Sequence, residues 1–279
     1  MSYGLTPYDF VQQVFYAQEK VLLDFWPSDD KYKEVLVEAN LVLQELQKEE
    51  DWNWLRERLI LGPVDDLPEA GAIPEFQLPD WVYKPSTLHN DCVTLHHGCG
   101  DHISEYGYIE VPYVSAGRLN GRSLKQTQGP STNVPNIDLG ACVVGNNVLT
   151  FNRPLFPYEK RDRIAVCDVQ RRLKPFHVCG PACRGADGKE PDYTLDENGK
   201  WKNPCTKIED RVLTEVPDPN YVVIRTACLH AEGSPPAQGR IQSLTDNAQR
   251  LLSAMRENNA AATDADYIDW DVPSFIRSM

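Results

Sequence analysis

The chain has no apolar run approaching the roughly 20 residues that a membrane-spanning helix needs. The stretch Met1 to Phe10 also lacks the basic and apolar pattern of a secretory leader. The expected compartment is therefore cytosolic, where thiols stay reduced. Nucleotide and hydrolase signatures are missing too. There is no Gly-x-Gly-x-x-Gly, no phosphate-binding Gly-Lys-Ser/Thr loop, no Gly-x-Ser-x-Gly elbow and no His-Glu-x-x-His. Catalysis is not expected on this basis. Positive charge is scarce: 28 Lys and Arg stand against 41 Asp and Glu, a net charge of −13. Such a chain is poorly suited to gripping nucleic acid or an anionic membrane, since both attractions come mainly from Lys and Arg. Eight cysteines in 279 residues are too few for a disulfide scaffold. They read first as small buried hydrophobes and then as metal ligands.

Proline and glycine are plentiful, with 21 and 17 residues, which predicts long irregular segments between regular elements. Helical periodicity is confined to the two ends of the chain. Near the N-terminus, Phe10, Val14, Ala17, Val21, Leu22 and Phe25 form one stripe, with Asp9 at its start and Pro27 as its stop. A second stripe holds Tyr32, Val35, Leu36, Ala39, Leu43 and Leu46. A short turn joins the two, so they are expected to pack as an antiparallel hairpin, with helical character reaching about Leu61. Trp52 and Trp54 read as core anchors.

Towards the C-terminus, Tyr221 to Ala231 reads as a helix. Ser234-Pro235-Pro236 then begins another, which carries Ile241, Leu244, Ala248, Leu251, Leu252 and Met255 to about Asn258. Short β-type runs lie between these helical ends. They are Trp81–Tyr83, Cys92–Leu95, Tyr106–Val114, Ala141–Val144, Val148–Phe151 and Ile164–Val169. Gly145-Asn146-Asn147 is a turn between two of them, and Ser115–Asp138 and Gly185–Asn203 read as loops or arms.

The fold class expected is α+β: a helical bundle made from the N- and C-terminal helices, a long β-rich insertion and an extended C-terminal tail. The boundaries are a helical hairpin over 1–62, the insertion over 63–213, closing helices over 214–258 and an acidic tail over 259–279. Acid concentrates in the first module, where residues 1–69 hold 15 acidic and 6 basic side chains. The tail interleaves Asp264, Asp266, Asp269 and Asp271 with Tyr267, Ile268 and Trp270, a candidate anchor for a partner.

One stretch is basic. Arg153 to Lys174 carries seven basic and three acidic residues, Arg161, Arg163, Arg171 and Arg172 among them. Salt bridges within or between subunits are the first expectation, and a local phosphate contact is the sharper one. For metal chemistry the candidates are His177, Cys179, Cys183 and Cys205, with Cys-x-x-x-Cys spacing suited to a structural zinc. The group His89, His96, His97, Cys99 and His102 is read as ordinary loop and strand histidines, because adjacent strand residues point to opposite faces.

Tyr32 to Leu46, with Asn40 three residues before Leu43, leads into Asp51-Trp52-Asn53-Trp54. This run resembles the second helix and following aromatic segment of the head-to-tail adaptor (connector or head-completion) proteins of tailed bacteriophages. Pro217 to His230 and Ser234 to Asn258 resemble the helices that close that family's bundle. The resemblance implies a non-enzymatic virion protein of the neck, assembled in the host cytoplasm. It implies a homo-oligomeric, dodecameric ring below the portal that docks a stopper or tail terminator. Such a ring extends the channel for passing genomic DNA, with no required cofactor and no membrane contact. Another neck or tail-completion protein is the nearest alternative, and a metal-dependent enzyme using the Cys/His groups is a more distant one.

Overall fold

The computed structural model describes residues 5–19, 30–64, 73, 75–86, 92–99, 102–103, 107–114, 139–155, 159, 161–178, 183–185, 188–189, 192–195, 201–203, 212–232 and 238–270. The protein is α+β. Its chain divides into two compact units. Met1–Glu50 with Leu173–Met279 forms the first, and Asp51–Arg172 forms the second.

Helices α1 (Pro7–Glu19), α2 (Asp30–Glu49), α3 (Pro219–Glu232) and α4 (Gln238–Trp270) belong to the first unit. A capping box starts α1. The Asp9 amide donates to Thr6 Oγ1 at 3.1 Å, the Thr6 hydroxyl donates to the Asp9 carboxylate, and Pro7 occupies the first helical position. The N-cap is therefore Thr6, with Asp9 as its reciprocal partner. Val21, Leu22 and Phe25 of the expected first stripe lie outside the described residues.

The buried face of α2 is Tyr32, Val35, Leu36, Ala39, Val42, Leu43, Leu46 and Gln47, the expected stripe with one flank added. Helix α3 packs on α1, α2 and α4. Gln18 on α1 donates to the Ala227 carbonyl of α3 at 2.9 Å. Polar contacts join the helices of this unit: His230 Nδ1 lies 3.0 Å from Glu38 Oε2, and Arg256 pairs with both Glu49 and Glu50.

The extended tail expected from residue 259 is corrected: α4 continues as helix to Trp270. Leu244, Ala248, Met255 and the polar Asn259 are buried at helical spacing, so the buried face of the helix reaches past Asn258. Ala260, Ala261 and Ala262 then favour helix, and no glycine or proline interrupts before Pro273. The arm expected over 185–203 holds a hairpin of β10 (Asp192–Leu195) and β11 (Trp201–Asn203). No helix among the described residues is long and apolar enough to cross a membrane.

The second unit is antiparallel β. Strands β1 (Arg56–Pro63), β3 (Val82–Pro85), β4 (Cys92–Cys99), β5 (His102–Ile103), β6 (Ile109–Pro112) and β9 (Arg163–Arg171) form one sheet. In it β9 pairs with β1, β3 and β4, and β4 pairs with β5 and β6. Strands β2 (Glu75–Gln77), β7 (Ala141–Val144) and β8 (Val148–Phe151) form a second sheet in the order β2-β8-β7.

Helix was expected to reach Leu61, but Arg56–Pro63 is strand. Its local pattern of charge followed by leucines is ambiguous, and pairing with β9 decides it. A register shift between Ile60 and Gly62 lies beside a glycine at φ +128°, which a side-chain-bearing residue would not adopt without strain. The β7–β8 turn falls at Gly145–Asn147 as the sequence predicts, with Asn147 at φ 60°. Asn147 also receives the Leu78 amide on its carbonyl at 2.9 Å, which holds the chain after β2 against the turn.

One apolar core fills this unit. Val93, Leu95, Val111, Leu149, Phe151, Ala165, Cys167 and Val169 are all in it. Ala165, Cys167 and Val169 of β9 face this core. Its even-numbered residues, Ile164, Val166, Asp168 and Gln170, are buried on the opposite face. Gln170 takes the Trp52 amide at 3.3 Å on its side-chain oxygen and donates to Ser86 Oγ, which fixes the aromatic segment that follows α2.

Burial pushes the Cys167 thiol up to about 12, with a smaller contribution from the neighbouring Asp168 carboxylate. Burial, with the Cys167 and Cys92 thiols as lesser causes, also raises the Tyr113 phenol. Both groups stay protonated in the native state, while in the unfolded chain they titrate near ~8.5 and ~10. Stability from them is complete below the unfolded values and drains as pH climbs towards the native ones. Urea midpoints should therefore fall as pH rises above about 9, and Cys167→Ala should show a shallower decline than wild type.

Candidate functional site

The site is built where the chain returns to the helical unit after Arg172. Asn40 lies on α2, flanked by the buried Ala39 and Leu43. Its side-chain Nδ2 donates to the Phe176 carbonyl at 3.0 Å, and the Phe176 amide donates to Asn40 Oδ1 at 2.7 Å. One amide side chain thus satisfies both backbone groups of a buried residue, as a neighbouring strand would. The Phe176 ring is fixed on its other side by Phe10, with centroids 4.5 Å apart. A shallow cleft lies nearby, lined by Leu43, Leu173, Lys174 and residues 212–216. None of those is a nucleophile beyond Thr214.

The next residue is His177. Its Nε2 lies 3.1 Å from Cys183 Sγ. Both side chains are intermediate in exposure, so the pair is reachable from solvent. The structure therefore brings together two of the four expected metal-binding residues. Cys179 and Cys205 lie outside the described residues. Among the described residues no three of His, Cys, Asp and Glu gather around one point.

The other histidines follow strand geometry. In β4, His96 is buried and His97 exposed, on opposite faces as expected. His96 Nε2 sits 2.9 Å from Thr94 Oγ1, and its ring stacks on Tyr108 at 5.2 Å. His89 is outside the described residues, and His102 and Cys99 are placed by backbone only.

The basic stretch does not form one surface. Arg163 is buried, and its Nη1 donates to the Leu95 and Gly107 carbonyls at 2.9 and 2.6 Å. Arg172 Nε donates to the Val82 carbonyl at 2.9 Å. Arg171 pairs with Glu57 at 3.4 Å across β9 and β1. Arg161, 87% exposed beside Asp162 at 3.7 Å, and Arg172 both stand outward. Arg153 makes a bidentate pair with Glu159, 2.7 Å on each arm, with both side chains buried. Arg163, Arg171 and Arg153 thus spend donors inside the β unit, while Arg161 and Arg172 remain exposed.

Tyr267, Ile268 and Trp270 fall on the last turns of α4. Sequence reasoning missed the charge cluster at the start of β1, where Asp168 accepts from Arg56 at 2.8 Å with Arg58 3.9 Å away. The alternation Arg-x-Arg opposite an acidic strand residue was its only signal. It also missed the Asn40 clamp, although Asn40 within an otherwise apolar stripe marked a polar residue that needed a partner.

Removing the clamp strands the buried amide and carbonyl of Phe176. Asn40→Ala should cost about 2 kcal/mol, within the usual range for orphaned buried groups, read as a lowered urea midpoint, while Gln44→Ala on the exposed face of α2 should leave it unchanged. No protein-family model and no curated protein matches the chain.

Proposed function

We propose that this chain is a head-to-tail adaptor of a tailed bacteriophage, a structural protein that rings the DNA channel below the portal and docks the tail or a stopper. The observation that carries the reading is the composition of the first unit. Helices from both chain ends share one compact body, and the middle of the chain supplies a separate β unit. That is the helix–insertion–helix order of the resemblance, with a bundle as scaffold and the β region as the part that varies.

The surface supports the same reading. Val37 and Leu41 stand one turn apart on α2, 49% and 50% exposed, with Glu34 and Glu45 on the same outer face. An apolar pair with an acidic border suits a contact between unlike faces of neighbouring copies, the packing that closes a ring. Arg161 and Arg58, both outward on the β unit, offer opposite charge. The acidic balance of the whole chain suits a channel along which DNA moves without being held. Tyr267, Ile268 and Trp270 are proposed as a partner anchor at the end of α4.

Native mass spectrometry and negative-stain imaging of the purified protein, alone and with a portal ring, test the proposal. A dodecameric ring seated on the portal is expected. A strict monomer in both conditions would overturn it. Deleting residues 263–279 should leave the helical unit folded by circular dichroism, since the last buried residue described on α4 is Asn259. The same deletion should weaken portal or tail capture about tenfold or more, the loss expected of an aromatic anchor.

A further inference from the structure

We propose that in the free protein the outward face of α2 is covered by the same face of a second copy, the two helices running antiparallel about a two-fold axis. One face of α2 carries the stripe that is buried in the helical unit. On the other, Val37 and Leu41 are 49% and 50% exposed. They belong to a longer pattern. Asp30, Glu34, Val37, Leu41, Gln44 and Lys48 are all exposed and recur at alternating steps of four and three residues. That is the spacing of a coiled-coil seam, whose positions face a partner helix. The seam is apolar at its middle and polar at both ends.

The charges choose the occupant and its direction. An antiparallel pair centred between Val37 and Leu41 sets Val37 against Leu41 of the second copy, and Leu41 against its Val37. Further out, Glu34 meets Gln44 and Asp30 meets Lys48, and the two-fold axis repeats both layers at the other end. Lys31 and Glu45 lie two heptads apart on one flank of the seam, and both are exposed. Antiparallel pairing brings equivalent flanks together, so Lys31 meets Glu45 as well. Each charged position thus faces an opposite charge or an amide. A parallel pair would stack Asp30 on Asp30, Glu34 on Glu34 and Lys48 on Lys48, and such like-charge contacts are disfavoured. Among the described residues Lys31, Glu34 and Lys48 make no ion pair within the chain. Asp30 has Lys33 at 3.4 Å but is 93% exposed, which leaves room for a second cation.

The face is also rigid. Helix α2 is held from behind by its buried stripe and by Asn40, whose side chain bonds both backbone groups of Phe176. Docking of an ordered surface loses little conformational entropy. The helix has 20 residues and is about 30 Å long. One helix face per copy gives a contact at the small end of specific interfaces, so the dimer is reversible, with a dissociation constant of roughly micromolar order. Its role rests on the assembly reading above. Val37 and Leu41 cannot touch a second α2 and a neighbour in the ring at once. The dimer therefore keeps the patch covered until docking on the portal exchanges one contact for the other.

Sedimentation equilibrium of the full chain without a portal, over roughly 1 to 300 µM, should show a monomer–dimer transition. Leu41→Glu puts a carboxylate into both apolar layers and should raise the dissociation constant about tenfold or more. Lys48→Glu sets two carboxylates together at each end of the seam, and Asp30→Lys sets two ammonium groups there. Each should weaken the dimer about threefold or more, and the combined Asp30→Lys/Lys48→Glu variant should recover most of the wild-type affinity. A parallel or nonspecific contact gives no such rescue.

A wild type that stays monomeric at the highest concentration, a Leu41→Glu variant that dimerises as the wild type does, or a charge swap without recovery overturns the proposal. Should Leu41→Glu lose helix by circular dichroism, Val37→Glu and the charge swap decide in its place. Measurements with and without a portal separate the two readings. Rings on the portal formed from a strictly monomeric free chain overturn the dimer alone. A free dimer that never seats on the portal overturns the ring alone.

Discussion

The organising contact of the helical unit is the pair of hydrogen bonds between the Asn40 side chain and the backbone of Phe176. The unit has to be made from two pieces of chain 122 residues apart, Met1–Glu50 and Leu173–Met279. Closing so long a loop is entropically costly and needs specific contacts at the point of return. Apolar packing alone tolerates sliding of one segment over another. An amide that donates to one carbonyl and accepts from one N–H does not. The clamp therefore sets the register of the returning chain against α2, with Phe176 packed on Phe10 beside it. His177 inherits its position from the same contact.

In the β unit the comparable part is played by β9. It is buried on both faces, apolar on the side of the core and mixed on the other, where Ile164 and Val166 stand with Asp168 and Gln170. The polar groups are tolerated because they are partnered: Asp168 by Arg56 and Gln170 by Trp52 and Ser86, and on the neighbouring β4 Thr94 and His96 by each other. The arginines of this stretch are spent in the same way, on carbonyls and carboxylates of the unit. A run that is basic in sequence thus divides between buried, paired arginines and the exposed Arg161, Arg172 and Lys174. Among the described residues, Glu34, Glu45 and Glu49 by contrast stand exposed on α2, where they can shape contacts with other molecules.

The sequence was legible where a single element carries its own pattern. The stripes of α2 and α4, the β7–β8 hairpin with its Gly145–Asn147 turn, and the opposed faces of His96 and His97 could all be read directly. It was not legible where pairing with a distant strand decides. Arg56–Pro63 follows a helix and has no clean alternation, so only β9 makes it a strand. The β10–β11 hairpin lies in a polar, charged segment whose composition resembles a loop. The end of α4 is not legible either, because its acidic residues resemble a solvated tail while the alanines and the buried Asn259 that extend the helix form no apolar stripe.

By itself the sequence determined the α+β class, the helical ends and β-rich middle, the acidic balance and the proximity of His177 to two cysteines along the chain, because each depends on residue identity and short-range spacing. Only the tertiary structure decided that Asn40 holds Phe176, that Arg163 and Arg172 are consumed by backbone carbonyls, and that His177 faces Cys183. Those outcomes depend on which groups meet across large separations in sequence, and a buried polar group can choose its partner only after the chain has folded around it.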